Sequence, residues 1–452
     1  MNFPLGRAPL FLLLLAIASG IGVWLVHGSY GETRADLVLA THARLHADIY
    51  RQRIPEFEKR HGVKVDIQEV EINAMRRKLQ ASFLAGTEVP DLVEVPDNLS
   101  TYINGPLKDI GFLDLTDWIK EKGFDKTFVA SRFSLYSTRG RIFALPHDVH
   151  PVMLAYRADI VEDQLGEDMS KIKTWDDFVE MGKRVTKDLN GDGLPDRYAL
   201  ELVAERRSAY LQLLMIQRGD NLFNAQGEVA FDNQSVADLL VWYVTQLRGP
   251  QRIAFNPGEG QPMWRAMMDG LVLFYFMADW RTRQAEAWAT TLNGKLKLMP
   301  LPAWTEGGIR TSTWGSTGLG IPKRGRNPEL AKKLAEFLYT EVNDGGAAWA
   351  GLHILPPVSS NWNLPAFEEP SELFRGQPFM KLYAELAPSV PPVWVTPFQT
   401  KAEDALNQAF QACDAYFRAN GEAGFREYAL EQLKLRADQV RLYMTRGRFL
   451  KE

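Results

Sequence analysis

Residues 37–67, LVLATHARLHADIYRQRIPEFEKRHGVKVDI, decide the fold. Leu37-Val-Leu-Ala-Thr41 is an apolar run of strand length, and Leu45, Ile49, Ile54 and Phe57 then recur at roughly helical spacing. His61-Gly62 stops that helix, and Val63–Ile67 alternates as a second strand. A second helix, Asn73 to Ala85, stops at Gly86, and Pro90-Asp-Leu-Val-Glu-Val95 follows as a third strand. Alternating strands and helices predict an α/β lobe with a largely parallel sheet. Ligands of such sheets sit beyond the carboxyl ends of the strands, which singles out the loops Thr41–Arg44 and Pro96–Asn98.

Further along, Ile142–Leu145 and Val152–Tyr156 are apolar strands joined by Pro146-His-Asp-Val-His-Pro151. That polar join reads either as a hairpin or as a passage between two lobes. Thr174 is an N-cap for a helix opened by Trp175, and another helix spans Ser235 to about Leu247. Leu271–Phe276 is a buried strand followed by Ala278-Asp279-Trp280, and Lys295–Pro302 is a second candidate passage. Gly315–Pro322 gives a loop and strand before a helix from Pro328 to Thr340, and the tail from about Lys401 is helical.

Size supports two lobes, because 452 residues exceed one ordinary core. A net charge of -4 argues against a nucleic-acid partner, whose phosphates need clustered Lys and Arg. The single cysteine, Cys413, cannot form an internal disulfide and reads as a small buried hydrophobe. At the N-terminus, Arg7 precedes an uncharged run, Ala8 to Val26, with Ala16-Ile17-Ala18 in the small-x-small form of a cleavage site. The run approaches the ~20 residues that span a bilayer. A cleaved signal and a retained anchor over residues 8–26 both stay open, and either puts the globular part outside the cytoplasm.

Eight pieces in sequence order resemble extracellular solute-binding protein family 1, the sugar-binding class related to maltose-binding protein. They are Glu58-Lys-Arg-His-Gly-Val-Lys-Val65, Pro90-Asp-Leu-Val-Glu94, Gly140-Arg-Ile-Phe-Ala-Leu-Pro146, Tyr156-Arg-Ala-Asp159, Thr174-Trp-Asp-Asp-Phe178, Asp192-Gly-Leu-Pro-Asp-Arg-Tyr198, Ala278-Asp-Trp280 and Gly320-Ile-Pro322. The resemblance implies an α/β, two-lobed periplasmic-binding-protein fold, with the ligand cleft between lobes. It places crossings near Pro146–Pro151, Met299–Pro302 and Glu341–Gly346. Residues 35–148 plus 301–343 would form the N-terminal lobe and 149–300 plus 344–452 the C-terminal lobe, after a leader or anchor over 1–34. It further implies a monomeric, periplasmic subunit that needs no cofactor and delivers a carbohydrate to an ABC permease in the inner membrane. A membrane-held sensing subunit is the alternative. A carbohydrate-active enzyme is the remote one, since Gly-x-Ser-x-Gly, His-Glu-x-x-His and phosphate-cradling loops are missing from the sequence.

Sugar recognition needs aromatic faces for ring C–H groups and convergent polar groups for hydroxyls. Trp280 matches the family's stacking tryptophan, and Asp279 beside it can accept hydroxyl hydrogen bonds. Trp314, Trp362 and Tyr210 are further aromatic candidates, with core packing the competing reading for each. His147, Asp148 and His150 crowd polar chemistry into the first passage, as ligand contacts or as hinge hydrogen bonds. His42, Arg44, Asp97 and Asn98 come from the two strand-end loops, and Arg44 would suit an anionic ligand. Asp188, Asn190, Asp192 and Asp196 keep part of a calcium-loop spacing, but Ala199 stands where the bidentate glutamate belongs. A hydrogen-bonded Asx turn is the expected outcome there, with no bound metal.

Overall fold

The computed structural model describes residues 12–20, 35–203, 209–340 and 349–446. Its strands are β1 (Leu37–Thr41), β2 (Val65–Glu69), β3 (Leu92–Pro96), β4 (Ser137–Thr138), β5 (Arg141–Ile142), β6 (Ala144–Pro146), β7 (Val152–Arg157), β8 (Tyr198–Glu201), β9 (Ala254–Phe255), β10 (Val272–Ala278), β11 (Leu296–Pro300) and β12 (Thr317–Gly320). The first sheet has the order β2-β1-β3-β12-β6. Its opening strands are parallel, with Leu37 facing Val65 and Leu39 facing Leu92. The helix Arg44–His61 makes the crossover and buries Ala47, Tyr50, Ile54 and Phe57. Each of its large apolar side chains contributes about 1.5–3 kcal/mol on leaving water. At its end Gly62 adopts φ 67° and donates its N–H to the Glu58 carbonyl, a conformation glycine reaches without a Cβ penalty.

The sheet is largely parallel, as expected: four of its five strands run in one direction and β12 alone is reversed. β12 runs antiparallel to both β3 and β6. β12 also lies against two rings: a Cβ on Gly320 would come 2.7 Å from the Phe112 ring, and one on Gly318 would enter the Tyr136 ring. Both positions therefore require glycine for close packing.

The second sheet has the order β11-β7-β10-β8-β9. Every residue of β7 and β10 is buried, which explains their nearly continuous apolar sequence, broken only by Arg157 at the end of β7. β7 is antiparallel to β10 and β11, and β8 is parallel to β10. A capping box holds the helix Trp175–Val185: the Asp177 N–H donates to Thr174 Oγ1 (3.2 Å), and the Thr174 N–H to Asp177 Oδ2 (2.8 Å). Trp175 is buried there and donates its indole N–H to Gln217. The tail helices Gln399–Asn420 and Phe425–Arg446 join the same core, and Cys413 is buried within it.

Strand membership settles the join at 147–151: β6 ends in the first sheet and β7 begins in the second, so it is a passage. The return occurs later than Met299–Pro302. Met299 and Leu301 are buried in the second lobe's core, Ala303 bridges Thr174 and Thr313 bridges Pro151. Only at Thr317 does the chain re-enter the first sheet. The third expected crossing, 341–346, lies outside the described residues. Residues 349–358 serve both lobes, with Trp349 and Val358 in one core and Ala350 and Leu355 in the other. Among the described residues, no helix is long and apolar enough to cross a membrane. Most of the 8–26 run falls outside them.

Candidate functional site

A cleft of about 360 Å³ lies between the loop ends of the two lobes, within the ~300–1,000 Å³ of small-ligand sites. Asp97, Asn98 and Thr101, which follow β3, line one side, and Gln212, Ile216 and Thr400 line the other. Trp314-Gly315-Ser316 runs between them as the return passage. A larger hollow of about 670 Å³ sits at the amino ends of β1 to β3, by Ala35, Val65 and Pro90. Among the described residues, its lining comes from the first lobe alone.

Trp314 is held on several sides. Its ring meets Tyr210 edge-on at 5.1 Å and Trp280 at 5.2 Å, while the Arg281 guanidinium lies 4.9 Å over it. Arg281 is itself fixed by Glu201 (3.2 Å), which also accepts the Tyr210 hydroxyl (2.8 Å). Burial would lower the Arg281 pKa, but Glu201 outweighs it and raises it above the usual arginine value. Trp280 does not line the cleft; its indole N–H donates to the Trp314 carbonyl at 2.9 Å. Tyr210 is buried beneath this cluster. The rigid aromatic surface offered to the cleft is thus Trp314, with Trp280 and Tyr210 in support.

The passage residues form a buried charge network. The Asp148 carboxylate accepts the Thr317 N–H (3.0 Å) and lies 3.1 Å from both His147 Nδ1 and His150 Nε2. His150 Nδ1 stands 2.7 Å from Asp279 Oδ1. Both Asp279 oxygens are engaged, since Oδ1 accepts the Trp280 N–H and Oδ2 the Leu355 N–H. Arg132 adds bonds to the Asp148 and Gly315 carbonyls and to Thr313 Oγ1. Burial alone would lower the His150 pKa, but Asp148 and Asp279 outweigh it and push it up to about 10. Asp148 is held well below the usual carboxylate range; burial opposes this, and His150 and His147 prevail. Two anions and two cations therefore tie the first passage to the return passage and to the start of the helix Asp279–Trp288. The polar side chains at 147–150 are thus engaged with one another and with Asp279.

The other candidates are scattered. Asp97 lines the cleft in an ion pair with Arg76, and Asn98 Oδ1 accepts the Ser100 N–H. Arg44 is exposed at the start of the helix Arg44–His61. Trp362 packs on the second lobe's core and donates to the Pro356 carbonyl, away from the cleft. His42 turns from the cleft toward Glu94, with Nδ1 3.3 Å from Oε2. In the 188–196 loop the oxygens serve the backbone: Asp188 accepts the Gly191 and Gly193 N–H groups, Asp192 accepts Leu194, and Asp196 accepts Leu189. That is the Asx-turn geometry. Arg76, Gln212 and Thr400 escaped the sequence reading, because single polar residues on helices carry no signal until topology turns them to one cleft.

Two sheet-centred lobes gathering polar side chains and a fixed tryptophan around a shared cleft define a two-lobed periplasmic-binding fold. Residues 43–344 match the model of the bacterial extracellular solute-binding protein family. The chain belongs to that family. It is 26% identical over 411 residues to an arabinooligosaccharide-binding protein of Bacillus subtilis (strain 168), covering 88% of this chain and 92% of that protein. The solved structure of the sugar-binding protein MalE from Xanthomonas citri is similar with a TM-score of 0.71 at 18% identity, covering 92% of this chain and 99% of that one. The ABC transporter associated binding protein from B. animalis subsp. lactis Bl-04, solved with beta-1,6-galactobiose, has a TM-score of 0.63 at 19% identity, over 92% and 98% of the two chains.

Proposed function

We propose that this chain captures a neutral oligosaccharide outside the cytoplasm and delivers it, unchanged, to an ABC permease. The observation that carries the reading is Trp314, held by three neighbours in a cleft whose other walls are mostly amides, hydroxyls and carboxylates. A flat ring suits the C–H face of a sugar, and the polar walls suit its hydroxyls. Arg76 is the one cation among the cleft's described lining residues, and Asp97 engages it, so no free cation of the described lining awaits an anionic ligand. The sugars bound by the relatives support the same class. β1 to β6 with β12 form the N-terminal lobe, and β7 to β11 with the tail helices form the C-terminal lobe, which close on the ligand as a monomer. Residues 8–26 act as export signal or tether.

The test is a screen of neutral oligosaccharides by calorimetry, with small-angle scattering of the complex. A ligand should bind reversibly, be recovered intact and compact the protein, because touching both lobes favours the closed state. Trp314→Ala should weaken binding by about 5- to 150-fold, the equivalent of ~1–3 kcal/mol, while Trp175→Phe leaves it unchanged. Equal affinity for the parent and Trp314→Ala misplaces the site. A hydrolysed ligand overturns the carrier reading.

A further inference from the structure

In the first lobe, away from the cleft lining, three histidines surround one buried carboxylate. We propose that His42, His46, Glu94 and His147 form a site for one divalent transition-metal ion of the zinc class. Candidate ligand atoms of His46, Glu94 and His147 lie within 4.8 Å of one another. His46 Nδ1 is 3.0 Å from Glu94 Oε1, His42 Nδ1 is 3.3 Å from Oε2, and His147 Nε2 is 4.0 Å from Oε1. With metal–ligand bonds of about 2.0–2.2 Å, the edges of a tetrahedron are roughly 3.4 Å. His46, Glu94 and His147 already stand near those spacings, and His42 approaches from the other Glu94 oxygen as the fourth donor.

Two further observations point to a ligand. His147 Nε2 and His42 Nδ1 are buried without a hydrogen-bond partner, and His147 is only 1% exposed. Orphaned buried nitrogens are costly unless something binds them. The surroundings also have the form of a metal's outer shell. His147 Nδ1 faces Asp148 at 3.1 Å, leaving Nε2 toward Glu94. Tyr50 Oη (2.6 Å) and Thr41 Oγ1 (2.5 Å) donate to the two Glu94 oxygens. A carboxylate behind a histidine, and hydroxyls behind a ligating carboxylate, orient such sites and tune their affinity.

Three imidazoles and one carboxylate match zinc and its neighbours, and fit calcium and magnesium poorly, since those ions want oxygen donors. His42 lies in the bend just before the helix Arg44–His61 and His46 in its first turn, so the end of β1 and the helix start bring both to Glu94. The His42 side chain, 15% exposed, is the outermost ligand and the entry point. The site is separate from the sugar cleft. Through His147 and Asp148 it touches the hinge network, so occupancy stiffens the first passage.

The experiment uses untagged full-length protein, stripped with chelator, dialysed and titrated with zinc alone. One equivalent should remain after a second dialysis against metal-free buffer, and the melting temperature should rise. Cobalt in place of zinc should give the intense visible absorption of a tetrahedral site. Tyr50→Phe should lower zinc affinity by about 10-fold, and the exposed-side variant His42→Ala by more. Glu94→Gln with His46→Gln should abolish retention, with circular dichroism verifying the fold. Failure to retain zinc, or the spectrum of octahedral cobalt, overturns the proposal. So does undiminished binding by His42→Ala. Sugar affinity, measured separately, stands or falls on Trp314 and not on these residues.

Discussion

His150→Asn tests whether the hinge is held by a buried cation. His150 sits at φ 52°, a left-handed conformation that asparagine tolerates better than most residues. The substitution therefore removes the imidazolium with little added backbone strain. In the folded chain the His150 pKa is about 10, against ~6.5 when unfolded. Because the folded value is the higher one, the stabilisation is fully present below pH ~6.5 and is lost as pH rises through about 10. Its size is on the order of 5 kcal/mol at 1.36 kcal/mol per pKa unit, at the upper end of the ~3–5 kcal/mol for breaking a buried pair. The assay is urea unfolding of the parent and of His150→Asn at several pH values from 6 to 10.5. Titrations elsewhere cancel in the difference between the two proteins. That difference should be largest near pH 6, shrink by up to about 1.4 kcal/mol per pH unit above ~6.5, and level off beyond pH 10. A difference that stays constant across the range would refute the bridging cation.

Gly320→Ala places a methyl group 2.7 Å from the Phe112 ring inside the first sheet; it should cost about 1–3 kcal/mol, read as a lower urea midpoint with unchanged slope. Adding calcium to metal-free protein should leave the melting curve unmoved, because the 188–196 carboxylates already accept backbone N–H groups; a rise would reinstate the calcium loop.

The strand–helix–strand opening was legible because a short apolar run, a 3.6-residue repeat and Gly62 agree at every level. The second strand came out two residues early, at 63–67 instead of 65–69, since alternation cannot locate an edge when its flanks are equally mixed. The largely parallel order was legible but its one reversed strand was not: nothing local to Thr317–Gly320 says that it returns to pair, antiparallel, beside β3. Trp280 and Trp314 both read as aromatic candidates in the sequence, and only the geometry shows Trp314 in the cleft lining and Trp280 bonded to its neighbour's carbonyl. Asp279 fared likewise. A carboxylate beside a cleft motif reads as a ligand group until its two oxygens are found occupied by His150, Trp280 and Leu355.

β12 stands between β3 and β6 although residues 147–316 separate it from the end of β6. The first sheet thus lacks an interior strand until residue 320 is available, with β6 unable to pair in its native place. Loop-closure entropy for so distant a partner makes assembly slow. A fragment ending at residue 148 should expose two unpaired strand edges and aggregate. The intact chain, for its part, remains open and threadable until most of it has been made.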